Sequence, residues 1–232
     1  MSRKPNAQYN VASPDSYAVR IAGFMRRRMY ERFVAECGLQ PSDSILDVGV
    51  TSDQSYESSN YVEAWYPHKE RLTAVGIDDA SFLEVLYPGL KFHRANGLAL
   101  PFPDRSFDVV HSSAVLEHVG GHESQRKFIV ELVRVARRAV FLTTPNRWFP
   151  VEFHTVLPLV HWLPKPQFRR ILKGLGQDFL SREENLNLLG RRDLEALATG
   201  LSDVSSLEVQ SVRLLWLPSN LLLILTKSLP RA

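Results

Sequence analysis

The chain has 232 residues, 44% hydrophobic and 23% charged, with a net charge of +3. That is enough for one substantial α/β domain of ordinary globular composition, and so small a charge does not announce a nucleic-acid binder. A single cysteine, Cys37, excludes an intramolecular disulfide framework and any multi-cysteine zinc site.

The first sixteen residues, "MSRKPNAQYNVASPDS", lack the apolar core of a signal peptide. No stretch approaches the roughly 20 apolar residues of a membrane span, so a cytoplasmic protein is expected. Ser13-Pro14-Asp15 has the form of a helix start, with a capping hydroxyl, a first-turn proline and an acid. Tyr17, Ile21, Met25, Met29 and Phe33 then recur at four-residue spacing, predicting a helix that ends near Gly38. Arg26, Arg27 and Arg28 lie mostly off its apolar stripe, as a solvated face would.

Five apolar runs follow, at 44–50, 71–78, 90–95, 107–114 and 139–146, alternating with helical or irregular segments. The clearest helix is 121–138, with Phe128, Leu132, Val135 and Ala136 on one face. Such alternation predicts an α/β fold of the Rossmann-like type: an open, mostly parallel sheet with helices on both faces. A stretch rich in Trp, Phe, Pro and His, 147–190, is too long for a simple connection. After a last helix at 191–201, two apolar runs flank Leu217-Pro218-Ser219 and predict an antiparallel C-terminal hairpin turning there. The expected organisation is one domain over 1–232. It comprises an N-terminal helical segment (1–40), a core (44–146), an insertion (147–190), and a closing helix and hairpin (191–232).

In an open parallel sheet, ligands bind at the carboxyl ends of the strands. The residues there are Asp47 to Asp53, Asp78 and Asp79, Asn96 and Gly97, Ser112 to His118, and Thr143 to Asn146. Asp78, at the end of the second strand, suits a ribose, whose two hydroxyls need an acceptor-only group. The first loop, "ILDVGVTSD" (45–53), keeps one glycine where a dinucleotide site would have three. A pyrophosphate needs close backbone N–H donors; Asp47 would repel it and Thr51 would obstruct it. S-adenosylmethionine (SAM) has no phosphate and carries an ammonium, which Asp47 attracts. Charge therefore favours SAM over a nicotinamide dinucleotide.

The motifs "ILDVGV" (45–50), "AVGIDDAS" (74–81) and "RANGLALPFPDRSFDVVHSSAVLEHV" (94–119) resemble the class I SAM-dependent methyltransferases, in particular the small type 11 methyltransferase-domain group. The match covers 44 to about 146, and the final hairpin fits as well. The resemblance implies a seven-stranded sheet with an antiparallel last strand, and SAM over the first, second and fourth strand ends. It implies that Asp47 and Gly49 hold the methionyl part, Asp78 the ribose, and Asn96 with Gly97 the adenine, Asn96 standing where the family usually has Asp. Ser112 or Ser113 would line the methionyl pocket. Thr51 and Ser52 are expected to replace glycine backbone contacts with hydroxyl contacts.

Methyl transfer needs a base only when the nucleophile must lose a proton. His118, just past the fourth strand in "VLEHV", is one candidate; the competing reading is a helix-start and packing residue. Some quinone-pathway relatives bind a divalent metal through an acid three residues before the Glu-His pair. Ala114 stands there, so no metal is expected. In the insertion, Glu152 and His154 form the second candidate, with His161 and Trp162 nearby. This segment reads equally as a lid over the acceptor or as an apolar insertion with satisfied histidines. As a lid, its aromatic content favours an acceptor with an apolar part, and Arg169, Arg170 and Lys173 would meet an anionic head group.

The expected function is thus SAM-dependent methyl transfer to a small-molecule or lipid-linked acceptor, with O-methylation first and peripheral membrane contact conceivable. One rival is a non-catalytic methyltransferase-fold scaffold whose pocket Val50-Thr51-Ser52 has closed. Another is an RNA methyltransferase using the Arg26–Arg28 run, although nucleic acid is not the expected partner. The sequence leaves the oligomeric state open.

Overall fold

Strands buried on both faces need no polar alternation, and the apolar runs of this chain form such strands. The computed structural model describes residues 17–54 and 57–228. One seven-stranded sheet runs in the order β3-β2-β1-β4-β5-β7-β6. Its strands are β1 (Ile45–Val48), β2 (Leu72–Gly76), β3 (Lys91–Arg94), β4 (Phe107–Ser113), β5 (Ala136–Pro145), β6 (Val204–Leu214) and β7 (Leu217–Lys227). The first five are parallel where they pair, whereas β7 runs antiparallel to both β5 and β6. The predicted fold class is the observed one.

Alternation along the strands sends side chains to two cores. Ile45, Val109, Ala139 and Phe141 pack against Met25, Met29 and Phe33 of α1 (Tyr17–Glu36) and Val62 of α2 (Tyr61–Trp65). Leu46, Val48, Val110, Val140 and Leu142 pack on the other side, against Phe128 and Leu132 of α4 (His122–Val135) and Leu194 and Leu197 of α6 (Arg191–Ala198). A short α3 (Phe82–Leu86) links β2 to β3. The predicted helix start at Ser13-Pro14-Asp15 lies outside the described residues.

Two boundaries differ from expectation. Helix α4 ends at Val135 and β5 begins at Ala136 with no loop between them. The carbonyls this abrupt change would strand at Val133 and Ala136 accept from buried Lys227 Nζ at 2.7 and 2.8 Å. The hairpin turns at Leu215-Trp216, not at Pro218, which lies inside β7. Both turn residues have positive φ, 47° and 71°, as a two-residue hairpin loop requires. No Gly or Asn announces that turn, and the proline next door misleads.

The insertion has a small core of its own, Phe168 and Leu172 of α5 (Lys165–Gly174) with Leu180, Leu186 and Leu188. It is fastened to the end of β4, because Asn187 N donates to Glu117 O at 2.7 Å. The segment is therefore packed against the sheet end where ligands are expected.

Candidate active site

The first loop turns on Gly49, whose φ of +107° suits glycine. A Cβ there would come within 2.1 Å of Val115 Cγ2, so the loop after β1 and the segment after β4 are in direct contact. The loop is held from the side by Asn60, whose Oδ1 accepts from Thr51 N (2.9 Å) and whose Nδ2 donates to Thr51 O (3.0 Å). Thr51 Oγ1 accepts from Asp53 N at 3.1 Å, a local turn contact. Asn60 was not a sequence candidate, since only the fold brings it to the loop.

Asp78 is half-buried at the end of β2, and among the described residues its carboxylate has no hydrogen-bond partner. An acceptor-only group so placed fits a nucleoside ribose. Asn96 is exposed, and its Oδ1 accepts from Leu98 N at 2.9 Å, which turns its amide nitrogen outward. Gly97 serves packing: a Cβ would lie 2.5 Å from Phe128 Cε2. Ser113 Oγ bonds Thr143 Oγ1 at 2.8 Å, and Ser112 Oγ donates to Val48 O at 2.7 Å.

Asp47 is more deeply engaged than the sequence suggests. Its Oδ1 is 2.7 Å from His111 Nδ1, and His111 Nε2 is 2.9 Å from Tyr61 Oη. Glu63 is fully buried, close enough to Asp47 for the two carboxyls to repel. Burial pushes the Asp47 carboxyl up to about 7, and burial together with the Asp47 charge holds Glu63 well above the carboxylate range. Burial also lowers His111 to about 4, so its ring is neutral, and burial favours the uncharged form of both carboxyls.

The two histidine candidates meet. A left-handed residue, Ala114 (φ 55°), reverses the chain after β4 into a 3-10 turn, Leu116–His118. From the insertion comes His154, and the two Nε2 atoms are 3.0 Å apart. His118 Nδ1 is held by Asn185 O at 2.7 Å. His154 Nδ1 is held by Glu152 Oε1 at 2.7 Å. Glu152 also accepts from His154 N (2.9 Å) and Thr155 N (2.6 Å). Burial opposes a charge on Glu152, but His154 and these donors outweigh it and hold the carboxyl at about 2. Burial likewise opposes protonation of His154, and Glu152 reverses the balance, raising it. His118 goes the other way, lowered to about 3 by burial and then by the His154 charge. These shifts favour a carboxylate at Glu152, the proton on His154 and a neutral His118.

Glu117, buried in the same turn, belongs to the same cluster. Its Oε2 accepts from Thr144 Oγ1 at 2.9 Å. His161, by contrast, is buried inside the insertion with Nε2 on Phe149 O at 2.7 Å, apart from this cluster. The Arg26–Arg28 run is used within the fold. Arg26 binds Ser58 Oγ, Arg27 pairs with Glu31, and Arg28 binds Arg213 O.

A parallel sheet of this order with an antiparallel β7, an available acid after β2 and a one-glycine loop after β1 define a nucleoside-cofactor enzyme of the methyltransferase type. Residues 46–143 match the family described as "Methyltransferase domain". The chain is 31% identical over 148 residues to the ubiquinone/menaquinone biosynthesis C-methyltransferase UbiE of Xylella fastidiosa, covering 56% of each chain. It is 36% identical over 81 residues to a probable S-adenosylmethionine-dependent methyltransferase of Mycobacterium tuberculosis, covering 33% of this chain and 28% of that one. The chain thus spans about half the length of the first curated relative and under a third of the second. Among solved structures, magnesium protoporphyrin IX methyltransferase from Synechocystis with bound S-adenosylhomocysteine superposes with a TM-score of 0.55 at 15% identity, covering 95% and 91% of the two chains. Residues 46–143 thus carry a methyltransferase domain, similar to SAM-dependent enzymes. Among the described residues, no helix is long and apolar enough to cross a membrane.

Proposed function

We propose that the chain methylates a hydroxyl oxygen on a small acceptor with an apolar portion. SAM supplies an electrophilic methyl on its sulfonium. Asp78 binds the cofactor ribose, Gly49 lets the loop turn close against Val115, and Asn60 fixes that loop. Asn96 and Gly97 border the adenine, Ser113 the methionyl part, and Asp47 acts behind the loop through His111.

The observation that carries the oxygen assignment is the buried His118–His154–Glu152 chain. It stands at the end of β4, whose next residue but one, Val115, touches Gly49. A carbon nucleophile activated by its own conjugation has less need of such a relay; a hydroxyl must lose its proton. Once the proton between the two rings has left to solvent, an Nε2 lone pair takes the hydroxyl's proton, and Glu152 stabilises the imidazolium that re-forms. Around them the insertion exposes Trp148, Val156, Leu159 and Trp162, which supports an acceptor with an apolar or lipid-linked part and contact with a membrane surface.

The test is transfer of labelled methyl from SAM to a panel of phenols, hydroxy acids and stabilised carbon acids, with products identified by mass spectrometry. Methyl ethers or esters are expected. Methylation on carbon alone would overturn the oxygen assignment.

A further inference from the structure

Glu117 is fully buried, and its Oε1 has no hydrogen-bond partner among the described residues. A buried carboxylate oxygen left without a donor is costly, and one this enclosed calls for a counter-charge. The atoms closest in kind are not donors of choice. His118 Nε2 lies 3.9 Å away, and the ligand atoms of Glu117, His118 and His154 all fall within 4.8 Å of one another.

The orientation of the two rings is the second observation. Each presents Nε2 to the other, while each Nδ1 is anchored on an oxygen, Asn185 O for His118 and a Glu152 carboxylate oxygen for His154. Nδ1–H bonded to a carbonyl or carboxylate, with Nε2 left to ligate, is the outer arrangement found behind metal-bound histidines. Tetrahedral ligands about 2.0–2.1 Å from an ion lie roughly 3.3 Å apart, and the observed 3.0 and 3.9 Å separations bracket that value.

We propose that Glu117, His118 and His154 bind one divalent transition-metal cation, zinc being the ion that two imidazoles and a carboxylate suit best. Three protein ligands leave a coordination position open. Resting on the oxygen-acceptor reading above, that position takes the acceptor oxygen. With the cation bound, the two histidines are ligands and no longer take the proton; the cation instead lowers the pKa of the bound hydroxyl, whose proton leaves to solvent water. The oxygen–methyl bond then forms as the methyl–sulfur bond of SAM breaks, giving S-adenosylhomocysteine. The expectation of no metal considered position 114 alone; the third donor arrives instead from the insertion, 36 residues beyond His118.

The full chain, stripped with chelator, is titrated with Zn²⁺ by calorimetry and with Co²⁺ by visible absorption, and with S-adenosylhomocysteine in parallel. One Zn²⁺ per chain is expected, with the intense visible bands of low-coordinate Co²⁺. Glu117→Gln and His154→Asn should each weaken Zn²⁺ binding at least tenfold with S-adenosylhomocysteine binding retained. Glu152→Gln, which removes no ligand, should weaken it about 10- to 100-fold. A wild-type chain that binds S-adenosylhomocysteine but no stoichiometric Zn²⁺ would overturn the site while leaving the methyltransferase reading intact. Undiminished Zn²⁺ binding in all three variants would overturn it as well. Stoichiometric, variant-sensitive binding in a chain that methylates only carbon would uphold the site and remove the oxygen-acceptor reading.

Discussion

Two buried clusters in this molecule use the same residue types and reach opposite charge states. On one side of β1, Asp47 meets His111, Tyr61 and Glu63. Beyond β4, Glu152 meets His154, His118 and Glu117. Asp47 shares its burial with a second acid, so protonation of the carboxyls and a neutral His111 relieve the repulsion. Glu152 collects three donors from its own turn, two backbone N–H groups and the imidazole, and stays ionised. Burial alone therefore does not decide whether a carboxyl–histidine pair is charged. The charge on the neighbouring His154, together with the donors around Glu152, does. The uncharged cluster is suited to hold the sheet against α2, and the ionised one to move charge.

Separating these roles by mutation should give the largest effect at Glu152. Glu152→Gln keeps the shape but removes the charge behind His154; methyl transfer is expected to fall roughly 10²- to 10⁴-fold with S-adenosylhomocysteine affinity preserved, measured by steady-state kinetics and calorimetry. Equal losses in kinetics and cofactor affinity would reduce the cluster to a packing element.

The opposite cluster is sharpened by pH. Glu63 holds a proton in the folded chain that it gives up above about pH 4.5 when unfolded. Its contribution is thus complete below that pH and is lost as pH rises towards the folded value. Glu63→Gln removes this dependence, so the variant should gain stability relative to wild type from about pH 4.5 to 7, by up to about 1.4 kcal/mol per pH unit. Urea unfolding at three pH values tests it, and a pH-independent difference would contradict a neutral Glu63. The smallest effect belongs to Tyr61→Phe, which strips the 2.9 Å partner from His111 Nε2. A loss of about 1 kcal/mol in thermal unfolding is expected, and none at all would mean the bond contributes nothing net.

What the sequence disclosed follows the same division. The parallel strands were legible because both their faces are buried and they read as apolar runs. The loops at the strand ends were legible because their residues lie close in sequence to the strands that place them. Asn60 and His111 were not, since the first acts across a loop and the second is hidden in the apolar run of β4. His118 and His154 were each visible as candidates, but their meeting depends on how the insertion packs, for which no local pattern exists. Glu117 carries no local signal of its own; only the fold sets its partnerless oxygen beside them.

The central claim is that the loop "DVGVTSD", with Asn60 and Thr51 standing in for glycines, still serves a SAM site closed by Asp78. Calorimetric titration with S-adenosylhomocysteine, wild type beside Asp78→Ala, tests it most directly. Micromolar binding in the wild type, weakened at least about tenfold by loss of the charge-assisted ribose contacts, is the predicted result. A wild-type chain folded by circular dichroism that takes up no S-adenosylhomocysteine would contradict it.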